Sequence, residues 1–150
     1  MQTMQEMDIK IRRAQTADLS ALISIDPIAQ REPGRRQMLG EAIAAQSCWL
    51  AEAAEVLGYG ILDRSFFQQH FVALLMVAET ARGRGVGHAL MSALETRCAG
   101  DKLFTSSNAS NLPMRRLLDK LGFRESGRID NLDDGDPEIV FMKWAERRAG

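Results

Sequence analysis

The spacing of apolar residues along the chain predicts alternating short strands and helices. Asp8 to Ala14 reads as a first strand. Thr16 can cap a helix to about Ile25, with Leu19, Leu22 and Ile23 near helical spacing, and Asp26-Pro27 ends it. Arg35 to Gln46 reads as a second helix. Ser47 to Ala53 and Val56 to Asp63 read as strands joined by a tight turn near Ala54-Glu55, with Tyr59 held between Gly58 and Gly60. Phe71 to Val77 is apolar at both parities, which predicts a strand buried on both faces. Val86, Leu90, Met91 and Leu94 recur at helical steps. Lys102 to Ser106 is a further strand. Asn111 to Leu121 is a helix that tolerates Pro113 in its first turn and ends on Gly122. Phe123 to Asn131 and Glu138 to Trp144 read as a closing strand pair.

The predicted order is βααβββαβαββ. Strand–helix–strand units in the second half imply parallel pairing there, and the hairpin-like segments imply antiparallel pairing elsewhere. The expectation is an α/β fold with a mixed sheet of about seven strands and about four helices, in a single domain over residues 1–150. The 150-residue length fits one domain with a sizeable core.

Composition narrows the function classes. Hydrophobic residues are 45%, charged residues 26%, and the formal net charge is -1. Near-neutral charge argues against broad binding to nucleic acid. No apolar run approaches a membrane span, and Met1 to Met7 lacks a signal-peptide layout, so a cytoplasmic protein is expected. Cys48 and Cys98 have no metal or redox spacing and read as core thiols. No metal site is expected, and a homodimer is compatible with the sequence.

The sharpest chemical signal is Arg82-Gly83-Arg84-Gly85-Val86-Gly87, between an apolar strand and a helix. Closely spaced glycines permit positive φ and close backbone approach. Their amides, with those that begin the helix, form a cradle for an anion, and the arginines add charge-assisted donors. A pyrophosphate suits this site. The spacing Gly83, Gly85, Gly87 is not the G-x-G-x-x-G of a dinucleotide fold, and His88-Ala89 replaces the Lys-Ser/Thr of a P-loop.

Arg82-x-x-Gly85-x-Gly87 matches the Q/R-x-x-G-x-G/A motif of the GNAT acetyltransferases. Asn111-x-x-Met114-x-x-Leu117-Leu118-x-x-x-Gly122-Phe123 resembles their N-x-x-A-x-x-L-Y-x-x-x-G-F motif. Leu74-Leu75-Met76-Val77 looks like their fourth strand. The resemblance implies a sheet splayed between its two central parallel strands and acetyl-CoA as co-substrate. It implies that backbone at Leu75, Met76 and Val77 meets the pantetheine arm and that Gly83 to Gly87 with Arg82 and Arg84 hold the pyrophosphate. Val86 belongs to that loop and Asn111 contacts the cofactor arm, while His88, on the helix after the loop, reads as solvated or phosphate-adjacent. The Val77 amide is implied as the oxyanion donor.

The family's usual general-acid tyrosine is replaced by Leu118, and the chain's one tyrosine is Tyr59. His70 is the candidate base by residue type, although the family's base positions in this strand correspond to Phe71 and Ala73. Asp130, Asp133, Asp134, Asp136 and Glu138 crowd the last turn. They read either as a solvated turn or as an attractor for a cationic amine, with Glu138 singled out because it opens a strand. Arg31, Arg35 and Arg36 read as exposed helix charges or as a carboxylate site. Phe66, Phe67 and Tyr59 read as core or as pocket lining. The expected activity is N-acetyl transfer to a small primary amine by direct attack in a ternary complex. Alternatives are acetylation of a protein N-terminus or lysine, and non-catalytic acyl-CoA sensing.

Overall fold

The computed structural model describes residues 8–147. Strand β1 (Lys10–Arg13) leads through a 3-10 turn (Thr16–Asp18) into α1 (Leu19–Ser24). Asp26 does more than stop this helix. Its Oδ1 accepts from the amides of Ile28 and Ala29 at 2.9 and 3.2 Å, so it starts α2 (Pro27–Arg31) at once. An Asp cap followed by proline at the first helical position is a strong helix start. This short helix adds one to the expected set. Helix α3 (Pro33–Ala44) also begins on a proline, two residues before its predicted start.

Strands β2 (Cys48–Glu52), β3 (Val56–Phe66) and β4 (Gln69–Val77) follow, then α4 (Val86–Thr96), β5 (Lys102–Asn108), α5 (Leu112–Lys120), β6 (Arg124–Ile129) and β7 (Glu138–Trp144). The seven strands form one sheet in the order β1-β2-β3-β4-β5-β7-β6. β4 and β5 are parallel; β1/β2, β2/β3, β5/β7 and β6/β7 are antiparallel. The mixed sheet matches the expectation. β3 and β4 are longer than predicted, because only Phe67 and Gln68 separate them, at φ of 49° and 63°. Such turns favour Gly or Asn, so the sequence carries no sign of this one.

The described residues pack as two units: 8–61 with Leu74–Met91, and Leu62–Ala73 with 92–147. In the first, Ala51, Leu57, Ala78, Ala81, Val86 and Leu90 form a buried cluster, with Ile11, Leu75 and Val77 against it. In the second, the Phe66 ring lies 5.1 Å from Phe71 and 5.4 Å from Phe104. The Lys143–Glu95 pair there, 3.1 Å apart, is nearly buried, and Lys143 Nζ also donates to the Leu121 carbonyl at 2.7 Å. Those extra bonds offset the cost of taking both charges out of water.

Candidate active site

The strand, loop and helix from β4 to α4 converge on one exposed backbone segment. The amide of Ala78 donates to Leu57 at 2.8 Å, and a 3-10 turn (Glu79–Ala81) follows. Arg82, Gly83, Arg84 and Gly85 are all exposed, and Val86 is then buried in the cluster beneath. Gly83 and Gly85 stand at φ of +78° and +81°, and a Cβ at either would meet nothing within 4 Å. These glycines therefore serve backbone conformation rather than packing. The Ala89 amide donates to Gly85 at 3.0 Å. Val86 and Gly87 precede it, where amides lack an intrahelical acceptor and the helix dipole is positive. Among the described residues, the Arg82 guanidinium has no ion-pair partner. The site thus presents amides, an open approach and a positive field, which fit a diphosphate. His88 is exposed on the first turn of α4.

β4 is less buried than its sequence predicts. Val72 is buried at 2% exposure, but Ala73 to Val77 are only half-buried. Its registered pairs with β5 are His70↔Leu103, Phe71↔Phe104 and Val72↔Thr105, and none follows. Among the described residues, Leu75, Met76 and Val77 have no registered partner on β5. Gly58 is a site residue that sequence reasoning noticed without assigning. A Cβ there would lie 2.6 Å from the Met76 carbonyl oxygen and 3.2 Å from both Val86 and Leu90 side chains. Gly58 lets β3 support both the strand and the helix that carry the candidate site, as an interior strand glycine often does.

In the second unit, Asn111 caps α5, its side chain accepting from the Met114 amide at 3.3 Å. Leu118 is fully buried. Most of the acidic turn is engaged in holding its own surroundings. Asp133 accepts from Asn108 at 2.8 Å, and Asp136 accepts from the Ser110 amide and hydroxyl at 3.0 and 2.6 Å. Asp130 pairs with Arg128 at 3.2 Å. Glu138 differs: it is half-buried, it sits in register between Asn108 and Ile129, and its carboxylate has no ion pair among the described residues.

Most of the other candidates are already engaged within the fold. His70 is the second residue of β4, and its Nε2 lies 3.1 Å from Asp101 and 3.2 Å from Arg64. Tyr59 is fully buried and donates to Asp26. Burial, then that bond, holds its phenol well above the ordinary range, so it stays neutral. Arg35 stands 3.8 Å from the same carboxylate, while Arg36 and Arg31 donate to carbonyls of Ala29 and Pro27. Phe66 packs in the second unit and Phe67 is 81% exposed at the hairpin tip. Burial pushes the Cys48 thiol up to about 12 and that of Cys98 to about 11, so neither is a nucleophile at neutral pH. No cluster of metal-ligating side chains occurs among the described residues, and no helix there is long and apolar enough to cross a membrane.

Comparison with known proteins agrees with this architecture. Residues 16–123 match the family model described as Acetyltransferase (GNAT) family. A GNAT-family acetyltransferase from Bacillus cereus ATCC 10987 superposes with a TM-score of 0.86 at 31% identity, covering 93% of this chain and 99% of that one. The ribosomal-protein-S18-alanine N-acetyltransferase of Escherichia coli has a TM-score of 0.75 at 21% identity, covering 95% and 96%. The yncA structure from Salmonella typhimurium, which holds its cofactor acetyl-CoA, has a TM-score of 0.72 at 20% identity, covering 95% and 96%. At that identity the last two share the fold alone. No curated protein matches the chain in sequence.

Proposed function

The chain belongs to the GNAT acetyltransferase family, and on that premise we propose that it transfers an acetyl group from acetyl-CoA to a small primary amine by direct attack in a ternary complex. The observation that carries the cofactor half is the loop from Arg82 to Gly87, with two positive-φ glycines facing open space at the start of a helix. Its amides, with Arg82 and Arg84, take the pyrophosphate. The β4 edge at Leu75, Met76 and Val77 bonds the pantetheine amides, and Asn111 adds a polar contact to the arm. The Val77 amide donates to the oxyanion that develops on the thioester oxygen.

The amine nitrogen attacks the acetyl carbonyl carbon, the C–S bond breaks, and CoA departs as thiolate. No phenol occupies the Leu118 position, and Tyr59 is committed to Asp26. A thiolate near the pKa of 8.5 leaves without full protonation, so orientation carries more of the rate than a positioned acid. The proton that the amine nitrogen loses on forming the amide passes through water to the departing thiolate, because the Ser110 hydroxyl already donates to Asp136. Glu138 is the carboxylate best suited to hold a cationic amine, since no cation within the described residues neutralises it. His70 is assigned to its contacts with Asp101 and Arg64 rather than to the chemistry.

A buried leucine in place of the phenol also favours a second reading, acyl-CoA sensing without turnover. Release of free thiol from acetyl-CoA separates the two. The amine panel would include polyamines, amino acids, and peptides with a free N-terminus or lysine. We expect turnover with at least one small amine, and Glu138→Gln to raise its KM while sparing that for acetyl-CoA. Thermal stabilisation by acetyl-CoA without thiol release from any amine would support sensing instead. Turnover confined to peptides would move the acceptor to protein amines.

A further inference from the structure

One arginine of the first unit carries more hydrogen-bond donors than the fold uses. Asp26, between α1 and α2, is fully buried. Its Oδ1 accepts from the amides of Ile28 and Ala29, and its Oδ2 accepts from the Tyr59 hydroxyl. These bonds fill most of its acceptor sites. Arg35 nevertheless approaches it from the first turn of α3, with Nε 3.8 Å from Oδ2. That separation is too long for a hydrogen bond and short enough for charge attraction. The Arg35 side chain is only 15% exposed. Yet among the described residues none of its nitrogens has a hydrogen-bond partner, and none is sealed from solvent. Its neighbours differ. Arg31 donates to the Pro27 carbonyl, and Arg36 donates to those of Ala29 and Gln30. Glu32 is exposed and forms no ion pair with these arginines.

A guanidinium held this way suits a planar anion. Packing has already ordered most of a long side chain, so a ligand need not. The unused fork matches a carboxylate through two parallel bonds. The same frame reaches the candidate site. Tyr59 follows Gly58 in β3, and a Cβ on Gly58 would lie 2.6 Å from the Met76 carbonyl oxygen. The Ala78 amide donates to Leu57 at 2.8 Å. The stretch from Leu57 to Tyr59 therefore runs beside the end of β4, where the Val77 amide is assigned to the thioester oxygen. Arg35, Asp26, Tyr59 and Val77 all belong to the first unit.

We propose that Arg35 binds a carboxylate carried by the acceptor, so that the preferred substrate is a primary amine of the amino-acid class. Asp26 and Tyr59 are positioning residues that hold the guanidinium without occupying its fork. Acceptor choice rests on the acetyl-transfer reading above, whereas carboxylate binding at Arg35 needs no turnover.

Matched pairs test this: alanine against ethylamine, phenylalanine against phenethylamine, and lysine against cadaverine. Each compound is titrated calorimetrically into the full chain with and without CoA, and separately assayed for thiol release from acetyl-CoA. We expect at least one amino acid to bind about tenfold or more tightly than the amine lacking its carboxylate, since charge-assisted bonds are the strong ones. Arg35→Lys keeps a cation beside Asp26 and removes the fork. It should raise Kd and KM for that amino acid by about tenfold and shrink the preference to within about threefold. Arg35→Gln should abolish the preference too, and urea midpoints of both variants report separately what Asp26 loses with its cation. A role confined to balancing Asp26 would lower stability and leave the preference intact, which would overturn the proposal. So would equal binding within every pair, or no binding of any amino acid. Thiol release from simple amines in those cases would leave the acetyl-transfer reading standing. Amino-acid binding with the expected preference but without thiol release would support the Arg35 site and remove the transfer reading.

Discussion

Two charged loops of this chain look alike in composition and differ in what their charges do. The loop Arg82–Gly87 and the turn Asp130–Glu138 both follow strands and both concentrate one sign of charge. In the acidic turn, Asp133 and Asp136 hold Asn108 and Ser110, and Asp130 holds Arg128. In the glycine loop, Arg82 is exposed with no ion-pair partner among the described residues, and Gly83 and Gly85 face open space. A run of like charge therefore does not define a binding site. The inventory of partners does: groups already bonded within the fold stabilise it, and groups left over are available to a ligand.

The comparison can be broken from either side. The largest effect is expected at Gly85→Asp. A side chain there meets a left-handed backbone, and its carboxylate faces the proposed pyrophosphate. Acetyl-CoA affinity should fall by about 100-fold, as like-charge juxtaposition costs several kcal/mol. Isothermal titration checks this, and unchanged affinity would take the phosphate role from the loop. A smaller and different effect is expected at Asp136→Ala. It removes the acceptor for the Ser110 amide and hydroxyl, so urea midpoints should show a loss of about 1 kcal/mol. Acetyl-CoA affinity should not move. The reverse pattern, intact stability with weakened binding, would make the acidic turn a site after all.

Much of this arrangement was legible from the sequence wherever a local requirement leaves a local mark. Positive φ demands glycine at Gly83, Gly85 and Gly122, and those positions announce the loop and the end of α5. Helical spacing revealed α4 and α5, and apolar runs revealed β4. Helix α2 was missed because Asp26-Pro27 was read only as a stop, whereas one carboxylate both follows α1 and caps the next helix. The Phe67–Gln68 turn was missed because it adopts left-handed φ without a residue suited to it. Long-range pairs left no pattern at all. Tyr59 with Asp26, Glu95 with Lys143 and His70 with Asp101 join residues 33, 48 and 31 positions apart. The second and third of these explain why a charge in sequence is a weak guide to a charge in a site. The extent of β4 burial was overestimated for a related reason, since its sequence does not show that registered pairing with β5 ends at Val72.

The central claim is that acetyl-CoA is held by the backbone from Leu75 to Val77 and from Arg82 to His88. Amide chemical shifts recorded while acetyl-CoA is added to the uniformly 15N-labelled chain test it residue by residue. The account predicts the largest changes at Gly83, Gly85, Val86 and Gly87, with further changes at Met76 and Val77 and little movement from Asp130 to Asp136. Shifts concentrated in the acidic turn, with the glycine loop unmoved at saturation, would contradict it.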